Sequence, residues 1–113
     1  MKKLLLMRHA KSSWDDPALT DHDRPLTPRG RKGAALIAEY LQREGLEPSI
    51  VLCTSATRAR ETLERLRPSF SDSTIIKIEP KLYGAGSKEL MTRIRRLSQA
   101  SQSVLIIGHN PAI

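Results

Sequence analysis

Two apolar runs in this chain end abruptly in groups that can handle an anion. Leu4-Leu5-Leu6-Met7 hands over to Arg8-His9, and Val104-Leu105-Ile106-Ile107 hands over to Gly108-His109. A guanidinium offers a planar fork of donors suited to phosphate or carboxylate. A neighbouring imidazole can act as base, acid or nucleophile near neutral pH. A third apolar run, Ile50–Cys53, is followed by Thr54-Ser55-Ala56-Thr57-Arg58, which reads as the start of a helix. A helix N-terminus adds unpaired N–H groups and a dipole that favours negative charge. Taken singly, each histidine reads as readily as a polar strand end. Two histidines and two arginines at one edge would make a site for phosphate-type chemistry.

Other chemistries find less support. Asp21-His22-Asp23 has metal-ligand residue types, but three adjacent residues cannot easily converge on one ion, and no further ligands lie at a recognised spacing. No metal or cofactor is expected. There is no Gly-x-x-x-x-Gly-Lys and no Gly-x-Gly-x-x-Gly, so nucleotide binding by those loops is unsupported. Cys53 is the sole cysteine and sits in an apolar run, which suits a small buried hydrophobe. It excludes an internal disulfide, and nothing demands an oxidising compartment.

The elements that must position these groups follow from periodicity. Leu4–Met7 reads as a fully buried strand. Ala10–Leu26 is polar, carries Pro17 and Pro25, and reads as a long loop leaving the sheet edge, a length often tied to function. Thr27 suits an N-cap and Pro28 the first helical position. Ala34, Ile37, Ala38 and Leu41 then form one apolar helix face, with Gly45 as the stop. Ile50–Cys53 is a second buried strand. A second helix from Thr54-Ser55 presents Ala56, Ala59, Leu63 and Leu66 and stops before Pro68. Thr74–Ile78 reads as a third strand. Ser87 caps a third helix with Leu90, Met91, Ile94 and Leu97 on one face, and Val104–Ile107 is the fourth strand. Strand and helix alternate throughout. That pattern predicts an α/β fold with a mostly parallel sheet and helices on both faces. Parallel strands bring their carboxyl ends to one edge, where ligands bind in open α/β sheets.

The chain has 113 residues and a net charge of +7. No repeat or linker divides residues 1–113, so one domain is expected. The basic residues recur in small groups, and the four aromatics are not interleaved with them as a stacking platform would require. This argues against nucleic acid as the partner and leaves solvated helix faces or a phosphorylated partner. Met1–Met7 is too short an apolar start for a signal peptide, and no stretch approaches a membrane span. A cytoplasmic protein without membrane contact is expected.

Four motifs, in order, carry a family resemblance: Leu6-Met7-Arg8-His9-Ala10, Leu26-Thr27-Pro28-Arg29-Gly30, Arg58-Ala59-Arg60-Glu61-Thr62 and Gly108-His109-Asn110-Pro111. Together they resemble the histidine phosphatase superfamily, with its phosphoglycerate mutase-like fold. Arg8-His9-Ala10-Lys11-Ser12 is similar to the small SixA-type branch of protein phosphohistidine phosphatases. The resemblance implies that His9 is a nucleophile that becomes transiently phosphorylated. It implies that Arg8, Arg58 and His109 hold the phosphoryl oxygens, with Lys11 and Ser12 beside them. Phosphoryl transfer asks mainly for positioning and charge stabilisation, so these groups suffice in kind.

Two departures from the family pattern stand out. Larger members carry a Glu soon after the third strand as general acid. Here that region reads Glu79-Pro80-Lys81-Leu82-Tyr83, and only Glu79 is a candidate. An imidazole leaving group, protonated near neutral pH, needs less help than an alkoxide. This points to phosphohistidine on a protein, with a small phosphorylated compound as the alternative substrate. The family also continues past the His-Asn-Pro motif, so the chain is expected to lack the family's C-terminal part and to leave some sheet surface thinly covered. A phosphate-binding module without turnover is the competing reading.

Overall fold

The computed structural model describes residues 3–97 and 101–109. Four strands, β1 (Lys3–Arg8), β2 (Ile50–Thr54), β3 (Ile75–Glu79) and β4 (Ser103–Gly108), form one sheet in the order β1-β4-β2-β3. Every pairing is parallel. Three helices alternate with them: α1 (Pro28–Arg43), α2 (Thr57–Leu66) and α3 (Ser87–Arg95).

The strand order explains where the helices lie. Passing from β1 to β2 and from β2 to β3 moves across the sheet in one direction, and β3 to β4 moves back. Right-handed crossovers therefore put α1 and α2 on one face and α3 on the other. The two cores agree. Ala38 and Leu41 of α1 and Leu63 and Leu66 of α2 pack on Val51, Cys53, Leu105 and Ile107. Leu90 and Ile94 of α3 pack on Ile50, Leu52, Val104 and Ile106 of the opposite face. This is the α/β arrangement with helices on both faces that the alternation predicts.

Local signals hold well in α1. Thr27 Oγ1 accepts the Gly30 N–H at 2.9 Å, and Pro28 takes the first position, where its missing N–H costs nothing. At the other end Gly45 adopts φ +65°, a conformation open to glycine. The Leu46 N–H then reaches Leu41 O and the Gly45 N–H reaches Gln42 O, closing the helix as a Schellman motif.

Several expectations need correction. Strand β1 is not fully buried. Among the described residues it pairs only with β4, and Leu4 and Leu6 are 36% and 50% exposed. These two lie on the α3 face, and α3 covers β2 and β4 without reaching β1. An apolar run shows that a strand wants cover, whereas strand order decides whether it gets it. Ile37 of α1 and Met91 of α3, expected on the apolar faces of their helices, are also exposed, at 40% and 43%. Helix α2 starts at Thr57, because Thr54 is still the last residue of β2. Ser87 is the first helical residue of α3, not its cap. Gly86 holds the cap position, and its N–H donates to Glu89 Oε2 at 3.0 Å. Asn110-Pro111 lies outside the described residues. Among the described residues, no helix is long and apolar enough to cross a membrane.

Candidate active site

The carboxyl end of β1 delivers Arg8 and His9 to the sheet edge, and the parallel register brings Gly108 of β4 level with Arg8. The His9 N–H donates to Gly108 O at 3.1 Å, extending the ladder by one residue. His9 and His109 thereby become neighbours, with ring centroids 5.2 Å apart.

The His9 ring is oriented by two contacts. Nδ1 lies 2.7 Å from Ala10 O. A carbonyl oxygen can only accept, so Nδ1 carries the proton and Nε2 keeps its lone pair. Arg58 Nε–H donates to that Nε2 at 3.2 Å. Burial, opposed by the Ala10 contact and reinforced by Arg58, Arg8 and Arg24, lowers the His9 pKa. The ring is therefore neutral at pH 7, with one nitrogen directed toward Arg58.

The Ala10 N–H is tied to the neighbouring helix. It donates to Thr62 Oγ1 at 3.0 Å, and the same hydroxyl donates to Arg58 O at 2.8 Å. Thr62 is wholly buried. It stands one helical turn after Arg58, so one face of α2 supplies both the cation and the peg that fixes the loop after His9.

Arg58 is only 6% exposed. Besides His9, it donates through Nη1 to Asp21 O at 2.6 Å and through Nη2 to Asp21 Oδ2 at 3.1 Å. Asp21 also joins a second buried guanidinium. Arg24 Nε and Nη2 donate to Asp21 Oδ1 at 3.2 and 3.1 Å. Arg24 Nη1 donates to Ser12 Oγ at 2.9 Å and Ser13 O at 3.2 Å. The Tyr83 hydroxyl donates to Asp21 Oδ2 at 2.6 Å. This hydrogen bond, followed by Arg58 and Arg24, overcomes desolvation and holds the Asp21 carboxyl down to about 2. Asp21 is thus ionised at working pH and is no proton donor.

His109 meets Thr54 Oγ1 through Nε2 at 2.6 Å. Its Nδ1 is buried and has no partner among the described residues. Burial first, then Arg58 and His9, lowers its pKa to about 4, so this ring is also neutral at pH 7.

These groups surround a cavity of about 440 Å³. All six residues nominated from the sequence line it: Arg8, His9, Lys11, Ser12, Arg58 and His109. Trp14 and Arg24 line it too, and neither was picked out from the sequence. The lining carries Arg8, Lys11, Arg24 and Arg58, with Asp21 as their bound counter-charge. Such a cavity attracts anions. Glu79, the candidate acid, lies elsewhere. It pairs with Arg93 and lines a different depression with Lys81 and Thr92. Asp21 and His22 do not converge on a metal-type site, since His22 Nε2 turns to Ser55 Oγ at 2.8 Å. Cys53 is buried and its thiol is pushed up to about 12, so it plays no nucleophilic part.

Residues 4–83 match the family model of the histidine phosphatase superfamily (branch 1). The chain belongs to that superfamily. It is similar to phosphohistidine phosphatase SixA of Escherichia coli, at 28% identity over 98% of this chain and 69% of that protein. It is 37% identical to an uncharacterised chloroplastic protein of Arabidopsis thaliana, over 96% of this chain and 54% of the relative. The solved structure of a candidate SixA from Agrobacterium tumefaciens superposes with a TM-score of 0.90 at 31% identity, covering 98% of this chain and 71% of that one. The chain spans between about half and two thirds of the length of the curated relatives it matches first.

Proposed function

We propose that this chain carries a phosphatase activity in which His9 is transiently phosphorylated, and that its substrate is phosphohistidine on a protein. The observation that carries this reading is the pinned His9 ring. Its Nδ1–H is tied to Ala10 O, and its Nε2 lone pair faces Arg58 at the lining of a cationic cavity.

In the first step, Nε2 of His9 attacks phosphorus and the bond to the leaving nitrogen breaks. The Nδ1–H contact with Ala10 O steadies the positive charge that develops on the ring. Arg8 and Arg58 stabilise the equatorial oxygens. In the second step, water attacks phosphorus, the His9–phosphorus bond breaks, and inorganic phosphate carries away the water's oxygen. His9 regains its lone pair. Guanidinium groups supply the charge, so the proposal calls on no metal.

The substrate follows from the acid problem. Among the described residues lining the cavity there is no carboxyl group, and Asp21 beside it is held ionised. An alkoxide leaving group needs a proton from such a group. An imidazole leaves in protonated form near neutral pH without one. The Escherichia coli relative is a phosphohistidine phosphatase, which supports the same substrate. A small phosphorylated compound with an equally good leaving group is the alternative.

The test is a phosphorylation trap. The protein is incubated with a labelled phosphodonor and quenched in alkali, where phosphohistidine survives. Label is expected on the peptide carrying His9, lost in acid, and absent from His9→Ala, which should also lose turnover. Full turnover in His9→Ala would refute the assignment. Binding of phosphate without label or turnover would favour a phosphate-binding module.

A further inference from the structure

Trp14 is the only tryptophan in the chain and is 73% exposed. A tryptophan placed for packing would bury most of its large apolar surface, and this one does not. Yet it is held in place. The Arg24 guanidinium carbon lies 3.5 Å from the indole centroid, a close cation–π contact. Arg24 is itself fixed at its edge by Asp21, Ser12 and Ser13, and is only 7% exposed. Its donor edge is therefore committed inward, and its flat face supports the ring. The result is an aromatic surface backed by a rigid ionic floor, with much of its area open to solvent. It lines the cavity that also holds His9 and Lys11.

From this placement we propose that Trp14 is a stacking platform for a planar, aromatic leaving group, and that it selects ring-bearing phosphoramidates over those without a ring. The proposal rests on the phosphatase reading above and narrows its substrate class. The chemistry matches on both sides. The cationic floor of the cavity takes the phosphoryl oxygens. The indole offers a π-face to the part of the substrate that the phosphate-binding groups do not touch, and phosphohistidine presents an imidazole there. Tryptophan has few rotatable bonds, so little freedom is lost when a ring settles on it.

Two measurements test this. The first compares kcat/KM for N-phosphoimidazole and for unsubstituted phosphoramidate, which share a P–N bond and differ in the ring. The wild-type ratio is expected to favour the ring. Trp14→Leu should reduce that ratio about 3–10-fold, mainly through KM, and Trp14→Phe should retain most of it. If Trp14 only shields Arg24, both substrates fall together and the ratio stays put, which overturns the proposal.

The second measurement needs no turnover. Because Trp14 is the sole tryptophan, its emission reports the cavity mouth directly. Phenylphosphonate should change that emission and bind about 3–10-fold more tightly than methylphosphonate. Equal affinity for the two, or no binding of either, overturns the platform. Preference for phenylphosphonate without turnover of any phosphoramidate upholds the platform and overturns the phosphatase reading instead.

Discussion

Replacing Gly30 by alanine should damage the site without touching a reacting group. Gly30 lies in the first turn of α1, buried against the backbone of Lys11. A Cβ built there would sit 2.1 Å from Lys11 O and 3.0 Å from Lys11 C and N. Restoring an ordinary contact of about 3.5 Å requires a shift of about 1.4 Å between helix and loop. Neither side yields easily. Lys11 O accepts the Thr27 N–H at 2.9 Å, and Thr27 caps α1. Lys11 is two residues past His9, so the shift is transmitted to the imidazole. A misplacement of about 1 Å costs on the order of 100-fold in rate. The strain should also destabilise the fold by about 1–3 kcal/mol, partly offset by about 1 kcal/mol from the better helix propensity of alanine. Gly33→Ala is the control, since a Cβ there meets nothing within 4 Å. The assay is a urea midpoint for each variant together with aryl phosphatase kcat. Gly30→Ala is expected to remain folded, with kcat down about 100-fold; Gly33→Ala should be unimpaired. A folded Gly30→Ala within twofold of wild type in kcat would refute the reasoning.

Two further variants probe the arginine cluster. Arg58→Ala removes a donor to His9 and to Asp21, and should lose roughly 2–4 kcal/mol of transition-state stabilisation, about 30- to 1000-fold in kcat/KM; a loss below twofold would count against a phosphoryl-holding role. Asp21→Asn should weaken the fold at neutral pH but not in strong acid. The Asp21 carboxyl falls from 3.8 to about 2 on folding, so its contribution is complete above pH about 4 and disappears as pH falls through about 2. That shift would correspond to about 2.4 kcal/mol in a shielded site. The side chain is 50% exposed, and solvent screening reduces the expectation to about 1 kcal/mol. Urea midpoints of the two proteins should converge between pH 4 and 2, and a constant gap across that range would show that the ionised carboxylate is not the cause.

The parts of the site that were legible in the sequence are those announced by a change of pattern. Arg8-His9 and Gly108-His109 interrupt apolar runs, and Arg58 follows a strand at a helix start. A parallel sheet then brings strand ends together without further information. What was not legible depends on contacts between distant segments. Asp21 and Arg58 are 37 residues apart, and Tyr83 is 62 residues from Asp21. Asp21 within Asp21-His22-Asp23 resembles a metal cluster until Arg24 and Arg58 are seen to occupy its carboxylate. Arg24 and Trp14 lie in a loop without periodicity, where nothing marks a buried guanidinium. Thr62 carried a signal that could have been used, since it stands four residues after Arg58 on the same helix face. The exposed flank of β1 had no such signal, because strand order is absent from the pattern of apolar residues.

The arrangement around Arg58 bears on how the proposed reaction can start. A guanidinium has five N–H donors. Among the described residues three contacts occupy Arg58: His9 Nε2, Asp21 O and Asp21 Oδ2. The two contacts to Asp21 can persist while a phosphoryl group enters, because each terminal nitrogen has a second hydrogen to offer. The contact to His9 cannot persist. Its acceptor is the lone pair that must form the bond to phosphorus, so Nε–H has to leave Nε2 as the bond forms. It is then free to donate to a phosphoryl oxygen at the moment when charge on those oxygens needs stabilising. Asp21 keeps the guanidinium from swinging away during this exchange, and Arg24 and Tyr83 hold Asp21 in turn. One donor thus rests on the nucleophile before reaction and can pass to the electrophile during it. The preference is stronger in the transition state than in the ground state, which is the condition for an interaction to accelerate the chemical step.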